Sequence, residues 1–299
     1  MVFLGFSRYT QRASGFFYGR IQHADRKLQK YFSSFYNLRS AICLLHYPFP
    51  YLVPHFRNTL DLKEAIKKIL KALPFDFTKN QRYDRLTRQV IQELCRAGSN
   101  CVDVGCHKGE ILDLFLKYAP NGSHKGFEPI PAMFQNLQQR YADNANCEFF
   151  EIALSNKKGS SSFNYVVSNP SYSGLLKRRY DRPNEEDQEI TVRTEKLDDV
   201  LPPDYRVDMI KIDVEGGEQL VLEGALETLK RYKPVIIFEH GLGASELYNA
   251  TPEKVFEILE SCGLKVSLLD RFLTKKPAFS RDEFAEQYYK KLNYYFIAY

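Results

Sequence analysis

From about residue 98 onward, short apolar runs alternate with segments whose apolar residues recur every three or four positions, and few folds accommodate that alternation. The runs fall at 100–104, 125–127, 147–153, 209–214, 235–239, 264–269 and 293–298, and the helical segments at about 109–118, 131–142, 217–231 and 252–262. Such a pattern calls for an α/β protein with a mainly parallel sheet covered by helices on both faces. Between the third and fourth runs lies a longer excursion, residues 155–197, whose SSSFNYVV and EITVRTEKL stretches suit a hairpin.

In an open sheet of this type, ligands bind in the crevice at the carboxyl ends of the strands. Three segments fall on that edge. The first, CVDVGCHKGE, passes from a strand through Asp103, Gly105 and His107 to a helix start at Gly109. The amides exposed at such a start favour an anionic group. The second strand leads into Glu128 and Pro129, where a carboxylate can accept both hydroxyls of a ribose. The glycine loop lacks the middle glycine that lets backbone approach a pyrophosphate, so a nucleoside without pyrophosphate fits better than NAD. S-adenosylmethionine is such a ligand: acidic side chains suit its ammonium and sulfonium, and a helix start suits its carboxylate. Asp103 has a second reading, as a carboxylate that ties down loop amides.

The third segment, IKIDVEGGE over 210–218, places Asp213 and Glu215 at the end of a central strand. Together with Glu239 and His240, which follow the apolar run VIIFE, they are the candidates for a general base. His240 is expected to open toward the crevice, or else to be a loop histidine satisfied by backbone. Glu218 is expected to serve the helix start. Asp213, Glu215 and Glu239 also form an oxygen set that suits a divalent metal, an alternative that the residues leave open. The polar loop 168–187 is expected either to cover an acceptor or to be plain surface.

The amino-terminal part is different in kind. Residues 1–58 hold eight Arg or Lys side chains against Asp25 alone, although the whole chain is only +5. Within it Ile21, Ala24, Leu28, Tyr31, Phe35, Leu38, Ile42 and Leu45 make a heptad-type stripe, which predicts a helix over about 21–45. The chain therefore divides into a basic, aromatic-rich extension (1–58), a helical lead-in (59–97) and an α/β domain (98–299). The stripe suits packing on the main domain or on a second copy as a homodimer. Its charge and aromatics also suit peripheral contact with an anionic membrane surface. Nucleic acid is the weakest of these partners, because no recognition module is present. There is no apolar leader of signal-peptide length, and the six cysteines have no zinc or disulfide spacing, which together point to a cytoplasmic protein with reduced thiols.

Taken in order, VDVGCHKGE, GFEP, IALSNKKGS, LDDVL, MIKIDVEGGEQLVLEGALETL and KPVIIFEH resemble the FkbM-type methyltransferases, a branch of the class I S-adenosylmethionine-dependent enzymes. The resemblance implies a Rossmann-like, seven-stranded sheet with the last strand antiparallel, and methyl transfer to oxygen on a sugar, glycan or secondary metabolite. Carried onto this chain, it makes Asp103, Gly105 and Gly109 the cofactor loop, puts Glu128 on the ribose and sets Ala153 and Leu154 beside the adenine. Asp213 then faces the methionine end or the acceptor. One departure is Cys106-His107, where the family has a small residue followed by Asn, so the contact made by position 107 is open. The rival expectation is a non-catalytic scaffold that keeps this fold and recruits a partner through its amino-terminal helix.

Overall fold

The computed structural model describes residues 76, 78–180 and 184–299. The basic extension, its heptad stripe and the first part of the lead-in lie outside them. Helix α1 (Lys79–Leu94) begins where the Thr78 hydroxyl accepts the Gln81 amide, and it buries Tyr83, Leu86, Val90 and Ile91. Then follow β1 (Cys101–Val104), α2 (Glu110–Tyr118), β2 (His124–Phe127), α3 (Pro131–Arg140) and β3 (Cys147–Phe150). The excursion supplies β4 (Ala153–Leu154), β5 (Gly159–Val166) and β6 (Asp187–Glu195), and α4 (Leu197–Val200) leads back into β7 (Met209–Ile212). The chain continues through α5 (Glu218–Glu223), α6 (Leu226–Tyr232), β8 (Val235–Glu239), α7 (Pro252–Ser261), β9 (Val266–Ser267), α8 (Leu269–Leu273), α9 (Arg281–Tyr289) and β10 (Tyr295–Ala298).

The main sheet has the order β3-β2-β1-β7-β8-β10-β9, and β10 alone runs antiparallel to its neighbours. This is the Rossmann-like class I arrangement expected from the sequence. From β1 the chain first steps outward through β2 and β3, then crosses back to β7 on the other side. The β1/β7 boundary is therefore the topological switch point, where the strand ends open a crevice. Alternation along the strands separates two cores. Val102, Val104, Ile210, Ile212, Ile236 and Phe238 pack on one face, while Cys101, Met209, Ile237 and Ile297 pack on the other with Val90 of α1 and Leu112 and Phe115 of α2. Asp103 and Lys211, paired in register, share this second face with α1.

Several elements differ from expectation for local reasons. The run 147–153 splits, because Ala153 and Leu154 leave β3 to pair with Thr194 and Glu195 of β6. The helix expected over 217–231 breaks into α5 and α6 at Gly224, where an added Cβ would lie 2.1 Å from the Ser155 carbonyl oxygen. The expected hairpin is present, with β5 and β6 antiparallel from Gly159 opposite Thr194 to Val166 opposite Asp187. Helix α9, fixed by a Ser280–Glu283 capping box, is an element that the sequence reading does not contain.

Candidate active site

A cavity of about 600 Å³ lies over the carboxyl ends of β1, β2 and β7, within the size range of small-molecule sites. Asp103, Gly105, His107, Glu128, Pro129, Ala153, Leu154, Asp213 and Glu215 all line it. The structure thus brings together every residue assigned to the cofactor except Gly109, and two of the four base candidates.

The floor is set by backbone contact. Gly105 has φ +82°, and a Cβ there would lie 2.0 Å from the Asp213 carbonyl oxygen. Its amide and that of Cys106 both donate to the Phe127 carbonyl, which joins the glycine loop to β2. Gly109 instead packs against Tyr141, whose hydroxyl donates to the Gly109 carbonyl at 2.7 Å, so the glycine there makes room for a tyrosine. Glu128 is buried with both oxygens engaged: Oε2 accepts from the His107 amide (2.9 Å) and Oε1 from Ile130 (3.0 Å). Burial pushes its pKa up to about 7 against the pull of those amides. The carboxylate braces the loop, and each oxygen keeps a second lone pair for a ribose hydroxyl. His107 sits at φ 49°, with Nε2 3.4 Å from the Ser171 hydroxyl and its pKa lowered, chiefly by burial.

Asp103 is 2% exposed, and its Oδ2 has no hydrogen-bond partner among the described residues. Burial raises its pKa to about 7, opposed by Lys211. A buried acceptor without a donor, inside a cavity, can receive a ligand's cationic or N–H group. The apolar side chains Phe127, Ile130, Met133, Leu154, Phe163 and Leu175 line the same cavity and offer a slot for a flat base. Orphaned carboxylate, glycine floor and apolar slot together fit the ammonium and nucleoside of S-adenosylmethionine.

Asp213 follows β7 directly. Its Oδ2 accepts from Lys211 Nζ and from the Tyr295 hydroxyl, both at 3.0 Å, while no hydrogen bond to Oδ1 is present among the described residues. Lys211 is 3% exposed in its side chain and lies 4.8 Å from the centre of the Tyr295 ring. Tyr83 of α1 stacks on Tyr295 with centroids 5.1 Å apart. Lys211 and Tyr295 both line the cavity, and sequence reasoning missed both. A lysine in the middle of a strand buried on both faces is a signal that could have found the first.

Glu215 has φ +55° and is ion-paired with Arg178, whose guanidinium lies 4.7 Å from the centre of the Tyr172 ring. Burial and the Asp213 carboxylate push Glu215 up to about 8, against the pull of Arg178. Glu218 serves the turn as expected: its Oε1 accepts the amides of Val214 (3.1 Å) and Gly216 (3.2 Å). Glu239 does not line the cavity, although burial and the neighbouring Asp213 raise its pKa well above the usual range.

His240 corrects the expectation of a crevice-facing base. Its amide donates to the Tyr294 carbonyl at 2.8 Å, and its ring is fully buried, stacked 4.7 Å from Tyr288 and 6.1 Å from Phe284 of α9. Burial lowers its pKa to about 4. The unforeseen α9 covers this strand end. The metal alternative also finds no support, since no group of three or more His, Cys, Asp or Glu side chains among the described residues is placed to hold an ion.

The excursion lies over the cavity, with Pro170, Ser171, Ser173 and Leu175 in its lining. It is tied to the domain by Ser171 to His107, by Arg178 to Glu215, and by the Leu176 amide to the Tyr248 hydroxyl at 3.0 Å. No helix among the described residues is long and apolar enough to cross a membrane.

The 2-O-methyltransferase NoeI of Sinorhizobium fredii is 26% identical over 159 residues, which cover 49% of this chain and 65% of NoeI. A crystal structure of methyltransferase FkbM from Methylobacillus flagellatus superposes with a TM-score of 0.41 at 15% identity, over 80% of this chain and 59% of that one. Fibrillarin from Aeropyrum pernix, in complex with natively bound S-adenosyl-L-methionine, gives 0.38 at 13% identity, over 72% and 73% of the two chains. The chain thus spans less than two thirds of the length of the first two. Residues 103–266, more than half of the sequence, match the family model described as the methyltransferase FkbM domain, and the chain belongs to that family.

Proposed function

We propose that the protein is an S-adenosylmethionine-dependent O-methyltransferase whose acceptor is a hydroxyl of a sugar, glycan or secondary metabolite. The observation that carries this reading is Asp213, held by two donors on Oδ2 beside the glycine loop, with Oδ1 unengaged among the described residues. The relative named as a 2-O-methyltransferase supports oxygen as the target.

Bound in this cavity, S-adenosylmethionine would supply an electrophilic methyl carbon, with the neutral thioether as leaving group. The chain's own residues do the rest. Asp103 Oδ2 would hold the ammonium, Glu128 the ribose hydroxyls, and the apolar slot the base. Lys211 and Tyr295 fix the Asp213 carboxylate, so that Oδ1 accepts the acceptor's hydroxyl hydrogen and takes its proton as the oxygen–carbon bond forms. The excursion closes over the acceptor and excludes water, with Arg178 and Glu215 at its junction with the β7 edge. Alignment of the two reactants in such a site contributes several kcal/mol, on the order of 7–11 at best.

The test is incubation with methyl-labelled S-adenosylmethionine and a panel of sugars, glycans and small hydroxylated metabolites, with the product identified by NMR. A labelled methyl ether is expected. Label recovered on nitrogen or carbon would overturn the O-methyl assignment, and binding without turnover of any acceptor would favour the scaffold.

A further inference from the structure

Helix α1 precedes the segment that matches the family, yet it contributes Asp84, Thr87 and Arg88 to the cavity. At spacings of three and four these positions share one helix face. Tyr83, one turn before Thr87, stacks on Tyr295, and the Tyr295 hydroxyl is bonded to Asp213. The face is thus tied to β10, and its residues line the same cavity as Asp103 and Lys211. Two side chains on it lack a partner among the described residues. Thr87 is 2% exposed and its Oγ1 has no hydrogen-bond partner among the described residues, not even the carbonyl one turn back that a helical threonine ordinarily uses. Arg88, next to it, has no ion-pair partner among the described residues. Asp84, on the same face, is already engaged within the chain.

An unpartnered hydroxyl beside an unpaired guanidinium asks for an anion, as the orphaned Asp103 Oδ2 asks for a cation. The other candidate for the anion, the start of α2, suits it poorly. Its first turn already carries the Glu110 and Asp113 carboxylates, and the Gly109 amide is spent on the Cys106 carbonyl at 2.7 Å. We propose that Thr87 and Arg88 of α1 form the carboxylate subsite for the amino-acid end of the methyl donor, opposite Asp103 on its ammonium. This rests on the S-adenosylmethionine reading and extends it to a helix outside the family segment.

Calorimetry on the full chain with S-adenosylhomocysteine and with 5′-methylthioadenosine tests it, because the second ligand keeps the thioether nucleoside and lacks the amino-acid end. The wild type is expected to bind S-adenosylhomocysteine more tightly. Arg88→Ala and the near-isosteric Thr87→Val should each weaken that ligand by roughly tenfold, the scale of a lost charge-assisted hydrogen bond, and leave 5′-methylthioadenosine unchanged. Arg88→Lys should recover part of the loss. Arg88 is exposed, so its replacement does not threaten folding, and retained 5′-methylthioadenosine binding reports an intact nucleoside site. Unchanged S-adenosylhomocysteine affinity in both variants, or an equal loss of the two ligands, would overturn the subsite alone. A wild-type protein that binds neither ligand would overturn the methyl-donor reading beneath it.

Discussion

At the scale of single residues, the site depends on how one carboxylate is held. Lys211 and Tyr295 occupy one oxygen of Asp213, and no hydrogen bond to the other is present among the described residues. Asp213→Asn keeps the shape and removes the proton acceptor, so kcat should fall by roughly 10²–10⁴, while S-adenosylhomocysteine affinity measured by calorimetry stays within a few-fold. Tyr295→Phe removes one of the two donors and should lower kcat by about tenfold with little change in melting temperature. Asp213 was legible in the sequence because an acidic residue ends an apolar strand. Tyr295 was not, for its contact with Asp213 joins residues 82 apart and exists only once β10 has paired with β8. His240 shows the opposite failure: the sequence locates it correctly after β8, but the side it faces is decided by α9.

At the scale of elements, the turn from β7 into α5 stores buried charge. Glu218 is 1% exposed with Oε2 unpartnered among the described residues, and burial raises its pKa from 4.5 to about 7. Between those two values the folded state binds more protons than the unfolded one, so this group's contribution to stability falls as pH rises from about 4.5 to 7 and stays low above. Glu218→Gln removes that titration. Its midpoint in thermal or denaturant unfolding should exceed the wild type's at pH 8, by a ΔΔG on the order of 3 kcal/mol, and the advantage should shrink toward pH 5. Element types were largely legible, since periodicity separates strands from helices. The breaks were not: Gly224 divides α5 from α6 because the Ser155 carbonyl arrives from a distant segment, and no pattern within 217–231 reports it.

At the scale of the whole molecule, residues 70–299 form one compact unit by themselves. A fragment with those bounds should unfold in a single cooperative transition and bind S-adenosylhomocysteine as the full chain does; multiphasic unfolding or lost binding would show that the fold needs more of the chain. A mainly parallel sheet was within reach of the sequence because strands and helices alternate, whereas the reversed last strand was implied only by the resemblance to the FkbM-type enzymes. The wall drawn from α1 was beyond reach, since that helix meets the crevice only through tertiary contact, while the excursion was legible as one of two readings of the loop 168–187. Gly105 approaches the Asp213 carbonyl so closely that no side chain fits between them. Under the proposed assignment the donor side and the acceptor side of the crevice touch through main chain, so a change that displaces the end of β7 to admit a new substrate should also displace the donor's seat. Selection for altered acceptor range should therefore accumulate substitutions in the excursion, whose side chains line the crevice without forming that junction, and should spare the β7 terminus.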